Sequence, residues 1–293
     1  LPTARFAKYQ LTNMVAVGMT GPRWVRLWMR CEVPGPHEVQ ISGGSGGPRR
    51  LMVTVSDGPE DKTAAVTYPK TNENPPLAPL TKYHYRIVRA SDRAIVGNGA
   101  FETPPARDED TPQKVVIALW SCHQPFTSDG TIRAESARML RLLRKILRDN
   151  DVKFVLPCGD QIYADDPNAL SLFRNPYLVR QSVSGHTDIR ACKAEEVRRL
   201  YNTRYRTFWS SNPLREMYAN YPTYPTLDDH EIKGDWGSER AHATKQFAAL
   251  KTGALQAYYD YQMKGVLPPN AAARDSFHYD FNYGNIGIFV MDI

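Results

Sequence analysis

The sequence predicts a two-part chain: an all-β sandwich followed by an α/β domain with a parallel sheet. Three observations carry this. Residues 1–105 hold short alternating segments between Thr20-Gly21-Pro22, Pro34-Gly35-Pro36 and Ser42-Gly43-Gly44, with no convincing helix, which is the punctuation of an antiparallel β fold. Residues 115–120 and 152–157 are apolar runs of strand length around a helical pattern at 131–149, so strand, helix and strand form a βαβ unit. Between the halves, Pro104-Pro105 and a charged segment at 107–110 read as a stiff, solvated linker.

Composition bounds the rest. The chain has 293 residues with 42% hydrophobic and 11% aromatic content, enough to bury sizeable cores and to exclude wholesale disorder. At roughly 100–200 residues per domain, about two domains are expected. Lys+Arg 37 against Asp+Glu 31 leaves a net charge of +6 in short runs of mixed sign. That is a weak pull toward an anionic substrate and no footprint for nucleic acid. No run approaches the ~20 apolar residues of a membrane span. Residue 1 is Leu, and the apolar run at 286–293 stops without a turn or cap, so the sequence is expected to be part of a longer protein.

In the first half, Val25, Leu27, Met29 and Cys31 alternate with Trp24, Arg26, Trp28 and Arg30, which makes Cys31 a small core hydrophobe on a strand. Leu77-Ala78-Pro79-Leu80-Thr81-Lys82-Tyr83 leads into the next strand. This run resembles the tyrosine corner of fibronectin type III and other immunoglobulin-like sandwiches, which implies a buried Tyr83 ring and a hydroxyl bonded to upstream backbone. Residues 94–102 would be the last strand.

In the second half, Ile132, Met139, Leu140, Leu143, Ile146 and Leu147 set the apolar face of the first helix, with Arg and Lys opposite. Further helices are expected at about 193–209 and 239–263. Residues 276–282 and 285–292 form a hairpin-like pair around Tyr283-Gly284. Tyr201, Tyr205, Phe208 and Trp209 read as an apolar helix stripe, with Arg198 and Arg199 as solvent charges. The other reading is an aromatic and arginine grip on a phosphorylated substrate.

Ligands of α/β sheets bind at the carboxyl ends of parallel strands. The first strand ends in Ser121-Cys122-His123, and the second in Cys158-Gly159-Asp160-Gln161-Ile162-Tyr163-Ala164-Asp165. After a long excursion comes Asp228-Asp229-His230-Glu231. A thiolate, a carboxylate and a phenolate converging on one point suit high-valent iron better than magnesium. Asp229-His230 would add a ligand for a second metal beside a proton donor. Each residue has a plainer role open to it: Asp160 as a cap or Asx-turn, Tyr163 as packing, Cys122 as an inert thiol, His230 as a structural histidine. Cys158 reads as packing, although a Cys122–Cys158 disulfide would exclude a thiolate ligand. His123, His186, His242 and His278 read as structural.

Gly-Asp-x-x-Tyr at 159–163, the Asp-Asp-His-Glu block and the Ser-Cys strand end together resemble the PhoD-like (alkaline phosphatase D) branch of the calcineurin-type metallophosphoesterases. The resemblance implies an immunoglobulin or fibronectin III-like domain over 1–105, a linker at 106–113, and an αββα metallophosphoesterase domain over 114–293, incomplete at its C-terminus. It implies Cys122, Asp160, Tyr163 and Asp229 as metal ligands, with Asp160 bridging two metals. Asp229 and His230 would meet the substrate, and His230 would protonate the leaving oxygen. The implied cofactors are Fe(III) with Ca(II) or another divalent metal such as Mn or Zn. The implied reaction is hydrolysis of phosphate mono- or diesters, small or polymer-linked, by a metal-bound hydroxide, in a periplasmic, cell-surface or secreted protein. Asp229 stands where relatives have Asn. Asp292 resembles the Asp of the family's Asp-x-Arg segment, whose Arg would be residue 294, and the family's late histidine ligands would come after it. The alternative function is a non-catalytic extracellular binding module carrying a degenerate phosphoesterase-like domain. A phosphodiesterase or lipid-phosphate hydrolase of the same fold is the alternative enzyme.

Overall fold

A computed structural model describes residues 10–70, 74–107, 114–166, 168–268, 270–271 and 276–292. Among the described residues the first half holds seven strands: β1 (Met14–Gly21), β2 (Trp24–Arg30), β3 (Gly35–Ser42), β4 (Arg49–Val55), β5 (Thr63–Tyr68), β6 (Lys82–Arg89) and β7 (Ile95–Glu102). They form two antiparallel sheets, ordered β1-β2-β5 and β4-β3-β6-β7. Along β6 the period-2 pattern buries Tyr83, Tyr85 and Ile87 and exposes Lys82, His84 and Arg86. These side chains share one core with Val17, Val25, Leu27, Met29 and Cys31 from the other sheet.

Tyr83 is fully buried, and its hydroxyl accepts a hydrogen bond from the Ala78 backbone N–H at 2.8 Å. Beside it, Thr103 accepts from Thr81 N at 3.0 Å and donates to Ala78 O at 2.7 Å. The chain is therefore tied to the sheet end, and Pro104 and Pro105 are buried where a solvated linker was expected. Prolines can be buried here because they bring no backbone donor that needs a partner. Residues 108–113, most of that linker, lie outside the described residues.

The second half opens with β8 (Ile117–Trp120), α1 (Ala134–Asp149) and β9 (Phe154–Pro157), and β8 pairs parallel to β9. On the far side of β9, residues 223–226 run parallel through bridges from Thr223 to Val155 and from Thr226 to Cys158. Then come α2 (Pro176–Ser182), α3 (Ala194–Phe208), α4 (Asn212–Asn220), and α5 (Lys245–Tyr258), which runs into a π-helical turn at Tyr259–Met263. The hairpin β10 (Tyr279–Tyr283) and β11 (Ile286–Val290) closes the described chain. Phe281 stacks on Tyr224 at 3.7 Å, with Phe154 edge-on to both.

Helices α2 and α4 were not anticipated. Both open on Asn-Pro, and Asn175 caps Tyr177 N, a start signal the sequence carried. On α1 only Leu140 and Leu147 are buried, while Met139 is 65% and Ile146 45% exposed. Helical spacing makes a face apolar, but only a packed neighbour buries it. Among the described residues β8 has a sheet partner on one side only, and Leu119 on β8 is 60% exposed.

The two halves are in contact. Gly18 meets Gly265 so closely that a Cβ would lie 1.9 Å from Gly265 O, and Met19 N donates to that same oxygen at 2.9 Å. Trp28 turns to this side, buried against Trp209 and Tyr261. Asp61 joins Arg30 from the sheets to Arg206 of α3. Tyr201, Tyr205, Phe208 and Trp209 are the buried stripe of α3. Arg198 differs from the expectation of a solvent charge: it forks onto the fully buried Asp260 carboxylate at 2.7 and 2.8 Å. A buried carboxylate requires such a partner. Arg199 remains 49% exposed.

Candidate metal centre

Three chain segments leave the ends of the parallel strands, and the fold brings them together. After β8, Cys122 takes φ 58°, and His123 N donates to Asp160 O at 2.8 Å. After β9, Gly159 and Asp160 both have positive φ, 73° and 55°. Gly159 is needed twice over, because a Cβ there would lie 2.2 Å from the Asp228 Cβ. The third segment ends in a 3-10 turn, Asp229–Glu231, capped by the Asp228 side chain on Asp229 N at 2.9 Å.

Asp160 lies at the centre. Its Oδ2 accepts from the Tyr163 hydroxyl at 3.0 Å and lies 3.5 Å from Cys122 Sγ. Its Oδ1 is buried and has no hydrogen-bond partner. Ligand atoms of Asp160, Asp229 and His230 fall within 4.8 Å of one another. The five residues singled out from sequence therefore meet: three as one cluster, with Cys122 and Tyr163 joined to it through Asp160. All four cysteines are free thiols, so no disulfide removes Cys122 from the site.

Charge follows burial. Burial pushes the Asp160 carboxyl up from its ordinary range, outweighing the Tyr163 hydrogen bond and the His230 charge. Burial pushes the Tyr163 phenol up strongly as well, aided by Cys122 and Asp160. For His230, burial acts downward, but the hydrogen bond and charge of Asp165 win and raise the pKa to about 9.

Two further carboxylates, which the sequence did not single out, are hydrogen-bonded to this cluster. Asp165 Oδ1 sits 2.7 Å from His230 Nδ1, and Asp165 Oδ2 accepts from Gly234 N at 2.7 Å. Its proximity to Tyr163 in the same loop was the available signal. Glu231 is fully buried and accepts the backbone N–H groups of Asp160 and Gln161. His123 is buried against Phe208, and burial lowers its pKa to about 4. Asp292 accepts from Phe277 N at 2.6 Å across the base of the hairpin.

An unpartnered buried carboxylate oxygen among a second carboxylate, an imidazole, a phenol and a thiol is a donor set that fits cations. Fold and site together define a candidate metal-dependent α/β protein. The chain belongs to the PhoD-like phosphatase family, whose sequence profile matches residues 117–293. It is 25% identical over 303 aligned residues to alkaline phosphatase D of Bacillus subtilis (strain 168), covering 97% of this chain and 46% of that protein. It is also similar in fold to a solved structure of PhoD, with a TM-score of 0.70 and 20% identity, covering 97% of this chain and 52% of that one. The chain thus spans about half the length of the curated relative it matches.

Proposed function

We propose that this chain carries residues of a phosphate ester hydrolase site that takes two cations. The observation that carries the reading is the bare, buried Oδ1 of Asp160, whose other oxygen faces Tyr163 and Cys122. Cys122, Asp160 and Tyr163 would hold a ferric ion, and Asp160 and Asp229 a divalent one such as Ca(II), Mn(II) or Zn(II). When bound, such cations lower the pKa of a water to about 7 and neutralise charge developing on phosphorus.

The chain's own residues then have distinct tasks. Asp165 holds Nδ1 of His230, which leaves Nε2 as the nitrogen that meets substrate. The Asp165 hydrogen bond and charge favour the imidazolium form of His230, the form that would deliver a proton to the leaving oxygen. The left-handed backbone at Cys122 and Asp160 turns both side chains toward one point, a local cost of about 1–3 kcal/mol per residue that the surrounding contacts must offset.

Further parts of the proposal rest on the same resemblance. Residues 1–105 form an immunoglobulin or fibronectin III-like unit, supported by the Tyr83 corner and the two packed sheets. Residues 114–293 belong to an αββα domain, and the protein works outside the cytoplasm on phosphate mono- or diesters. Among the described residues no helix is long and apolar enough to cross a membrane.

The test is the full gene product loaded with Fe(III) and Ca(II), Mn(II) or Zn(II), assayed on p-nitrophenyl phosphate and bis(p-nitrophenyl) phosphate. Expected are hydrolysis, a visible tyrosinate-to-iron band lost in Tyr163→Phe, and loss of turnover in His230→Ala. A colourless protein, inactive with every metal tried, would overturn the proposal and favour a non-catalytic module.

A further inference from the structure

Glu231 lies fully buried next to His230 but is none of the proposed ligands. Its carboxylate receives four N–H groups. Oε2 accepts from Asp160 N at 2.9 Å and Asp228 N at 3.1 Å. Oε1 accepts from Gln161 N at 2.7 Å and from the Gln262 side-chain amide at 3.0 Å. An ionised carboxylate offers about four lone-pair sites, so all are used. Three of these donors are backbone groups of the two loops that carry Asp160 and Asp229.

The fourth donor comes from elsewhere in the chain. Gln262 sits in the π-helical turn Tyr259–Met263, and its Nε2 also lies 3.2 Å from the Tyr205 hydroxyl. A π turn inserts a residue into a helix and re-aims the side chains that follow. This turn is pinned from the N-terminal sheets, where Trp28 Nε1 donates to Asp260 O and Arg26 Nε to Lys264 O, both at 2.8 Å.

We propose that Gln262 and Glu231 are positioning residues for the metal centre. Gln262 fixes the carboxylate of Glu231. Glu231 in turn holds the left-handed backbone at Asp160 and sets the Asp228–Asp229 segment against it. This inference rests on the reading of Asp160 and Asp229 as metal ligands. Removing a partner behind a metal ligand typically weakens binding 10–100-fold.

The experiment titrates Mn(II) into the full chain by calorimetry and follows amide hydrogen exchange at Asp160 and Gln161, for wild type, Gln262→Met and Asp160→Asn. In Gln262→Met, Kd is expected to rise about tenfold and both amides to exchange faster, while thermal unfolding stays cooperative. If Gln262→Met does not fold, Gln262→Asn, which keeps an amide but shortens its reach, carries the same expectation. Unchanged exchange and a Kd within twofold of wild type would overturn the inference, provided Asp160→Asn loses Mn(II). If Asp160→Asn binds Mn(II) like wild type, the metal reading fails instead, and the exchange rates alone decide whether Gln262 positions the loop.

Discussion

Gly159 and Asp165 show how single residues set the candidate site. Gly159 combines a φ of 73° with a Cβ position 2.2 Å from the Asp228 Cβ. Gly159→Ala should therefore push the Asp160 and Asp228 loops apart, seen as a lower melting temperature and weaker Mn(II) binding in the same preparation. Against the downward pull of burial, Asp165, with smaller help from the Asp160 and Asp229 charges, raises the His230 pKa from 6.5 to about 9. A raised pKa means the pair stabilises the folded protein fully below about 6.5 and loses that effect as pH climbs through 9. In chelator-treated protein, Asp165→Asn should lower the melting temperature most at pH 6 and hardly at all at pH 10. A difference that does not vary with pH would mean that Asp165 acts through packing alone.

At the scale of elements, sequence signals differ in what they guarantee. The Leu77-to-Tyr83 run specifies a contact between near neighbours, so the observed bond from Ala78 N to the Tyr83 hydroxyl could be read directly. Tyr83→Phe leaves that amide without its partner in a part-buried place and should cost about 1–3 kcal/mol by denaturant unfolding. The periodicity of α1 specifies only that one face is apolar. Leu147, fully buried, should cost about 2–5 kcal/mol on truncation to Ala. Met139 on the same helix, 65% exposed, should cost almost nothing.

The whole molecule shows two consequences of how its parts meet. The N-terminal sheets and the α/β half are joined through Gly18 against Gly265, through Trp28, and through the Asp61 ion pairs. Trp28→Ala should therefore destabilise the whole chain by about 3–5 kcal/mol, with both halves unfolding in one transition. Met139, Leu142 and Ile146 of α1 are exposed and line one cleft with Trp120 of β8. Such areas favour association. The double variant Met139→Lys, Ile146→Lys should raise the monomer fraction in light scattering without changing the circular dichroism spectrum.

What the sequence determined by itself is local or periodic. The strand-rich first half, the βαβ unit and the α3 stripe follow from local spacing, where side-chain direction is set by the backbone repeat, and the Tyr83 corner from the resemblance of its run to a known motif. The candidate metal ligands Cys122, Asp160, Tyr163 and Asp229 and the candidate proton donor His230 were legible because their clusters follow strand ends, where α/β sheets gather function, and because their motifs resemble those of a known family. What only the tertiary structure decided depends on residues far apart in the chain. Arg198 faces a buried Asp260, Pro104 and Pro105 are buried, and the α1 face is half bare. Asp165 reaches His230 across 65 positions, and Gln262 reaches Glu231 from a π turn that no period announces. A repeat fixes which way a side chain points. Which partner waits there is set by packing between segments that the sequence keeps apart.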